Sequence, residues 1–234
     1  MIFEDLFIKH GAASFDKQIY FDAMYGKARW ALDLSTGVLA LTRPHEEPVQ
    51  LFAQVLGTES EDSGAWLWAW ANTDQKFSLP LLQSAHELRD IGKREAVAEL
   101  IAAELACGRW INSDTLCAVA SGLCRAGCTF RAPYPRGALH LIIRDPRFKR
   151  PVSQPISRIL RAFPMFLKRY PLRRQREALL HYLDFYRLEI EAQPDTVLAR
   201  ATTQSRNSIG LAPANALIAE FSPAGLLTRF EAVA

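Results

Sequence analysis

The chain has 234 residues, of which 49% are apolar and 23% charged, and its formal net charge is +3. This composition is typical of a globular protein that is large enough to bury a core without disulfide bonds or metal ions. The net charge is too small to imply nucleic-acid binding by itself. No apolar run approaches the ~18 residues that span a bilayer, and the first residues lack the features of a signal peptide, so we expect a cytoplasmic protein.

The predicted elements begin with a helix over residues 2–25, broken near Gly11 and ended by Gly26. Its apolar residues recur at steps of three and four. The period then changes to two, and the segments ARWALDL and VLALT, joined by STG, predict a β-hairpin. VQLFAQVLG predicts a third strand and, after the polar loop TESEDSG, AWLWAWA predicts a fourth.

Three tryptophans occupy alternate positions of this fourth strand, so they are expected to point to one face of a sheet. The residues between them are also apolar, which is typical of a central strand covered on both faces. We therefore interpret the row, Trp66, Trp68 and Trp70, as core beneath packed helices. The alternative is a stacking platform for a sugar, a base or another ring. Because the indole N–H groups need partners, a polar cavity is expected at one end of the row.

Two helices and a hairpin follow. The segment LPLLQSAHELRDIG predicts a helix with Ser78 as its N-cap and Gly92 as its end, and SDTLCAVASGLCRAG predicts a helix capped by Ser113. The Ala-rich stretch between them is expected to be helical, with part able to pair as a strand. CTFRAPYPRGALHLIIRD predicts two strands, over residues 129–132 and 138–143, around a PYPRG turn.

Residues 145–155 hold three prolines and no periodicity, which indicates a boundary. Beyond it we predict a helix kinked at Pro164, a second helix that starts near Pro171 and includes Ile190, and three strands in TVLARATT, NALIAEFS and LLTRFEAVA. The predicted domains are 1–145, a basic linker 146–155, and 156–234.

The fold class is therefore predicted as α+β. A largely antiparallel sheet with packed helices is followed by a helical pair and a small C-terminal β-meander. That meander either forms its own sheet or pairs with the first one.

The chain shows no motif with an assignable chemistry. It has no G-x-S-x-G elbow, no Gly-rich phosphate loop and no H-E-x-x-H pair. The four cysteines lie within 22 residues but form no C-x-x-C knuckle, so we expect core thiols rather than a zinc site. We assign no catalytic, cofactor-binding or metal-binding residue, and we expect no cofactor.

A few polar residues lie near the Trp row and could line a cavity. Asp33, placed in mid-strand, is expected to pair with Arg29, Arg131 or a helix N-terminus rather than to act as a catalytic acid. Asn72 is expected to cap the next segment rather than to contact a ligand. His140, among apolar neighbours, is expected to be structural. The candidate cavity residues are Asp33, Trp66, Trp68, Trp70, Asn72, Tyr134 and His140.

Charge is segregated along the chain. Residues 144–176 carry eleven Lys or Arg and one acid, a net charge of +10. A basic face of this kind could bind phosphate groups, nucleic acid or an acidic partner, whereas the alternative is a solvated helix whose arginines pair with acids. The candidate contact surface comprises Arg158, Arg161, Lys168, Arg169 and Arg173.

Four motifs occur in order along the chain: WALDL, AQVLGT, WLWAWAN at 66–72 and RAPYPRG at 131–137. In these motifs the chain resembles an uncharacterised bacterial family, a domain of unknown function marked by the Trp-rich strand and the RAPYP motif. The resemblance covers about residues 1–145. It implies a bacterial, intracellular α+β domain and no established activity.

Because no set of nucleophile, base and oxyanion donor is visible, we expect a non-enzymatic binding or interaction protein of the bacterial cytoplasm. Its basic surface would contact an acidic protein or another anionic partner. Nucleic acid is not favoured as that partner, since no nucleic-acid-binding signature accompanies the charge. The alternative is a small-ligand-binding protein, or an enzyme, with a cavity bordered by the Trp strand.

Overall fold

The computed structural model describes residues 2–148, 154–201 and 215–233. The predicted class is confirmed, since helices pack with antiparallel sheets, one of seven strands and one of four, in the described ranges. The helices are α1 (Phe3–Tyr25), α2 (Leu79–Glu95), α3 (Ala98–Ile101), α4 (Ser113–Leu123), α5 (Pro155–Arg169) and α6 (Gln175–Phe185).

The chain groups by its contacts into two compact units. Unit 1 comprises Met1–Phe7 and Lys17–Arg150, and unit 2 comprises Ile8–Asp16 and Pro151–Ala234. This grouping differs from the predicted limits, 1–145 and 156–234, mainly because it assigns the middle of α1 to unit 2. The predicted linker, 146–155, lies partly outside the described residues.

Unit 1 contains the seven-stranded sheet. Its strands are β1 (Arg29–Asp33), β2 (Val38–Thr42), β3 (Val49–Ser60), β4 (Ala65–Trp68), β5 (Glu104–Ala106), β6 (Cys128–Tyr134) and β7 (Gly137–Ile143). The 12-residue strand β3 organises the sheet, because residues 49–52 pair with β2, residues 53–60 pair with β7 and residues 57–60 also pair with β4. The predicted hairpins β1–β2 and β6–β7 both form.

A continuous apolar cluster fills one face of this sheet. Leu39, Leu51, Val55 and Leu141 are each at most 1% exposed, and α2 adds Leu81 to the same cluster. Along β2 the buried Leu39 and Leu41 alternate with half-buried residues, because successive side chains of a strand point to opposite faces, whereas β7 is buried along its whole length.

Two expected glycine breaks are absent from the helices. The break predicted near Gly11 was wrong, since α1 is continuous from Phe3–Tyr25. The end predicted at Gly92 was also wrong, since α2 continues to Glu95. Gly92 serves close packing instead, because a Cβ there would lie 2.6 Å from the Leu100 Cβ of α3. The Ala-rich stretch after α2 divides into α3 and the short strand β5.

Unit 2 contains a four-stranded meander, β8 (Glu189–Ala192), β9 (Thr196–Arg200), β10 (Ala216–Phe221) and β11 (Leu227–Val233), in the order β11-β10-β9-β8. Within the described ranges it forms a sheet of its own, which settles the alternative left open by the sequence. The helix predicted to include Ile190 ends earlier, at Phe185, and Ile190 lies in β8. Helices α5 and α6 pack in the same unit.

Candidate functional site

The apolar residues of strand β4 lie on its two faces, which differ in burial. Trp66 and Trp68 are both fully buried, whereas Leu67 between them is partly exposed. The expectation that both faces are covered was therefore too strong. The strand ends at Trp68, and residues Ala69–Ala71 form a turn of 3-10 helix, so Trp70 is not part of the strand row.

The two strand tryptophans pack as core. Their rings meet edge to face with centroids 5.2 Å apart, and Trp68 Nε1 donates a hydrogen bond of 2.9 Å to the Glu99 carbonyl oxygen of α3. Gly57 on β3 makes room for the Trp66 ring, since a Cβ there would lie 2.6 Å from its Cζ2 atom. Within the described part of the chain, Trp66 Nε1 is buried without a hydrogen-bond partner.

Trp70 has a separate environment. It is half-buried, and the guanidinium of Arg89 lies 4.3 Å from the centroid of its ring, as in a cation–π contact. The ring packs against the apolar cluster of unit 1. Trp70 therefore belongs to the junction of the 3-10 turn with α2.

His140 lies beside Trp66 on the buried face, and their ring centroids are 5.1 Å apart. Its Nε2 atom lies 3.2 Å from Glu59 Oε2, and its Nδ1 atom lies 3.5 Å from Cys117 Sγ. Since a carboxylate only accepts, Nε2 donates to Glu59, which leaves Nδ1 of the neutral ring to accept the Cys117 S–H. The contacts tie β3, β7 and α4 together.

Burial governs the protonation of His140 and of Cys117. Burial lowers the pKa of His140 below its ordinary value, although the hydrogen bond that His140 donates to Glu59 acts in the opposite direction. Burial also raises the pKa of the Cys117 thiol far above its ordinary value. A neutral thiol facing a neutral imidazole is a poor nucleophile, because the thiolate is the reactive form. The structural role expected for His140 agrees with this geometry.

The opposite face of β4 borders a groove of about 390 Å³. Leu67, Thr58 and Leu139 are directly paired across β4, β3 and β7, so they form one cross-strand row along it. We call this feature the β4 groove. It is lined by Leu34, Thr58, Leu67, Asn72, Asp74, Gln75, Phe77, Tyr134 and Leu139.

The groove combines an apolar floor with polar groups at its rim. Leu139 belongs to the apolar cluster of unit 1, and Phe77 packs against this cluster. Tyr134 donates a hydrogen bond of 3.3 Å to the Glu59 carbonyl oxygen and is 44% exposed, so its ring stands at the rim. Asn72 Oδ1 accepts from the backbone N–H groups of Asp74 and Gln75 at 3.2 Å, which holds the loop that forms the polar side.

Asn72 therefore both caps the following loop and lines the groove, although the sequence treated these roles as alternatives. Of the seven candidate cavity residues, only Asn72 and Tyr134 line the groove. Trp66, Trp68 and His140 lie on the face of the sheet opposite the groove. The sequence did not identify Leu67, Thr58 and Leu139, because their grouping depends on strand register.

Among the described residues, the Asp33 carboxylate pairs neither with an arginine nor with a helix N-terminus. The side chain is exposed and accepts hydrogen bonds from the Ser35 backbone, from Ser35 Oγ at 2.6 Å and from Thr36 Oγ1 at 2.8 Å. These bonds lower its pKa to about 2. Asp33 thus fixes the β1–β2 turn, and the ion-pair expectation is corrected.

The candidate basic surface is divided between a buried ion pair and exposed cations. Arg158 Nη2 lies 3.1 Å from Asp16 Oδ1, and the Asp16 side chain is 3% exposed. Tyr186 Oη donates to the other oxygen of the same carboxylate at 2.5 Å. Arg158 is therefore a structural partner within unit 2 rather than a contact residue. The other members, Arg161, Lys168, Arg169 and Arg173, are exposed.

Other arginines of the basic segment also meet acids. Arg144 pairs with Glu87 and Arg147 with Asp145 in unit 1, and Arg174 pairs with Glu177 in unit 2. The segment is thus less basic locally than its sequence suggests. Lys149 and Arg150 lie outside the described residues.

All four cysteines carry free thiols, and Cys117, Cys124 and Cys128 are buried. Within the described ranges, no cluster of three or more His, Cys, Asp or Glu side chains is arranged to hold a metal ion. No described helix combines the length and apolarity that crossing a membrane requires.

Comparison with known proteins yields a family but no characterised relative. Neither the curated proteins nor the solved structures include a match to the chain. The model of a family of unknown function, DUF6882, matches residues 4–146, which include the β4 groove and the buried Trp face. The chain therefore belongs to this family of unknown function, DUF6882.

Proposed function

We propose that the protein is a non-enzymatic binding protein that holds a small molecule in the β4 groove. The observation that carries the proposal is the cross-strand row of Leu67, Thr58 and Leu139, which leaves a partly exposed apolar floor beside the loop capped by Asn72. Small-molecule sites are typically concave, largely apolar and about 300–1,000 Å³ in volume, with a few polar groups for orientation. The groove, at about 390 Å³, is in this range.

Among the described residues, the lining holds no thiol, imidazole or amine, which favours binding over catalysis. The groove residues comprise aliphatic and aromatic side chains, two hydroxyls, two amides and one carboxylate. The neighbouring thiol and imidazole, Cys117 and His140, belong to the opposite, buried face of the sheet. A ligand on the Leu67 face would be separated from them by the sheet itself.

The proposal is tested by filling the groove. In Thr58→Phe the new ring would stand between Leu67 and Leu139, so we expect weak ligands found for the native protein by ligand-detected NMR to lose binding. Phenylalanine suits a strand, so the fold should be kept. Circular dichroism and the unfolding midpoint check this point.

A second pair of variants provides a matched control. Leu34 lines the groove and is 41% exposed, whereas Leu226 lies in unit 2 and is 42% exposed. Leu34→Ala is expected to weaken ligand binding, and Leu226→Ala is expected to leave it unchanged. Binding that survives Thr58→Phe, or that responds equally to both leucine variants, would contradict the proposal.

A second candidate function rests on the exposed cations of unit 2. Arg161 and Lys168 on α5, followed by Arg173, would attract an anionic partner such as an acidic protein. Charge reversal of these three residues should abolish any salt-sensitive binding to an acidic partner. Arg158 is left native in this experiment, since its reversal would oppose the buried Asp16 carboxylate.

A further inference from the structure

The β4 groove has an uneven distribution of charge. Among the described residues that line it, Asp74 supplies the one carboxyl group, and no Lys, Arg or His is present. The other polar groups are the hydroxyls of Thr58 and Tyr134 and the amides of Asn72 and Gln75. An anionic ligand would meet the Asp74 carboxylate without a lining cation to offset it.

We propose that the groove accepts a small apolar molecule that carries a protonated amine. This inference rests on the proposed function of the groove and adds the chemical class of its ligand. The ammonium group would lie beside Asp74 at the polar rim, while the apolar part would cover Leu67 and Leu139 on the floor. Opposite charges at a partly exposed site attract only modestly, so Asp74 orients the ligand more than it holds it.

Two aromatic rings of the lining favour the same class of ligand. Phe77 lies on the loop that also carries Asp74, and Tyr134 stands at the rim and is 44% exposed. The face of an aromatic ring attracts a cation, and the Arg89 guanidinium over Trp70 shows such a contact elsewhere in unit 1. An amine thus finds both a carboxylate and ring faces within one lining.

The nearest competing charge on this loop is Lys76. It lies between Gln75 and Phe77 in the sequence and is exposed, but it does not line the groove. If the Lys76 ammonium acted on the ligand, an anion would be preferred instead. The experiment therefore includes this residue as a variant.

The test compares three probes that share one skeleton and differ in charge: phenylbutylamine, phenylbutanol and phenylbutyrate. Their dissociation constants are measured by NMR titration of the native protein and of Asp74→Asn, Lys76→Gln and Asp90→Asn. Asp90 is a matched control, because its side chain on α2 is 73% exposed and does not line the groove.

We expect the amine to bind more tightly than the alcohol and the carboxylate. In Asp74→Asn its affinity should fall by about 3- to 5-fold, as for removal of an exposed ion pair, while the affinity for phenylbutanol stays unchanged. Asp90→Asn should match the native protein, and Lys76→Gln should bind the amine at least as well as the native protein.

Two results would overturn the inference alone. One is binding of the alcohol or the carboxylate as tight as that of the amine, and the other is an amine affinity unchanged in Asp74→Asn. In both cases binding to the groove, sensitive to Thr58→Phe, would stand. If none of the three probes binds, or if Thr58→Phe leaves their binding intact, the proposed function fails and the inference fails with it.

Discussion

At the scale of single residues, the hydrogen-bond partners of a polar side chain depend on whether it lies on an exposed or a buried face of its helix or strand. Asp33 and Asp16 illustrate this contrast. The exposed Asp33 caps its own turn through Ser35 and Thr36, whereas the buried Asp16 is held by Arg158 and Tyr186. A local pattern identifies the first kind of contact, but the second joins residues 142 positions apart and is invisible in the sequence.

Arg158 provides a test of this distinction. Arg158→Ala removes one partner of a buried carboxylate, so we expect it to lower the free energy of unfolding by about 3 kcal/mol. Arg161→Ala, on the same helix but exposed, should change it by less than about 0.5 kcal/mol. Urea unfolding of the two variants measures both values. Equal effects would show that the Arg158–Asp16 pair contributes nothing beyond a surface charge.

Gly57 tests the packing of the buried tryptophan. In Gly57→Ala the new Cβ would lie 2.6 Å from the ring of Trp66 and from the Leu67 carbonyl oxygen, neither of which can move freely. We expect a loss of about 1–3 kcal/mol in the free energy of unfolding, as for other overpacked cores. Gly108→Ala is the control, since no described residue has an atom within 4 Å of its Cβ position. An unchanged unfolding midpoint for Gly57→Ala would contradict the packing described for Trp66.

His140 makes stability depend on pH. Its pKa in the folded protein lies below the ordinary value of 6.5, so the unfolded chain binds a proton first as the pH falls. Stability should therefore be complete above pH 6.5 and decrease below it, by at most about 1.4 kcal/mol per pH unit, until the folded form also binds the proton. Burial is the largest effect on this pKa. Glu59 and Asp114 oppose it, whereas the charge of Arg131 lowers the pKa further.

Unfolding midpoints measured across this pH range, for the native protein and for His140→Gln, check this expectation. The variant should show a flatter profile, because its side chain does not titrate. Parallel profiles would mean that another group, such as the exposed His181 with its lowered pKa, causes the pH dependence.

At the scale of elements, the sequence predicted most helices and strands but misplaced several ends. The period-two hairpins β1–β2 and β6–β7 were predicted because their alternation and turn residues are local signals. The end of β4 was missed, since alternate tryptophans continue through Trp70 although the backbone turns at Ala69. Ile190 was placed in a helix because it follows Tyr186 by four residues, which is the spacing of one helical turn. The same spacing can also arise by chance between apolar residues of a strand.

The start of α4 was misassigned by one residue, and the correction can be tested. Asn112, not Ser113, is the N-cap, since Asn112 Oδ1 accepts from the Thr115 backbone N–H at 3.0 Å. Asn112→Ala is expected to lower the free energy of unfolding by about 1 kcal/mol, as for other caps. Ser113→Ala should have a smaller effect. The reverse order, measured by thermal or urea unfolding, would restore Ser113 as the cap.

At the scale of the whole molecule, the account depends on the two faces of β4. The sequence predicted that the indoles are core, and the burial of Trp66 and Trp68 agrees with it. It did not predict the β4 groove, because Thr58 and Leu139 join Leu67 only through the pairing of β3 with both β4 and β7. The basic segment looked like one surface in the sequence, but ion pairs divide it in the fold.

An NMR titration with phenylbutylamine tests the central claim most directly, because it observes both faces of β4 in one experiment. We expect the methyl resonances of Leu67, Leu139 and Thr58 to shift together, while the indole N–H resonances of Trp66 and Trp68 stay in place. Shifts of those two indole resonances, with the three groove residues unaffected, would show that the binding surface lies on the tryptophan face and would contradict the account.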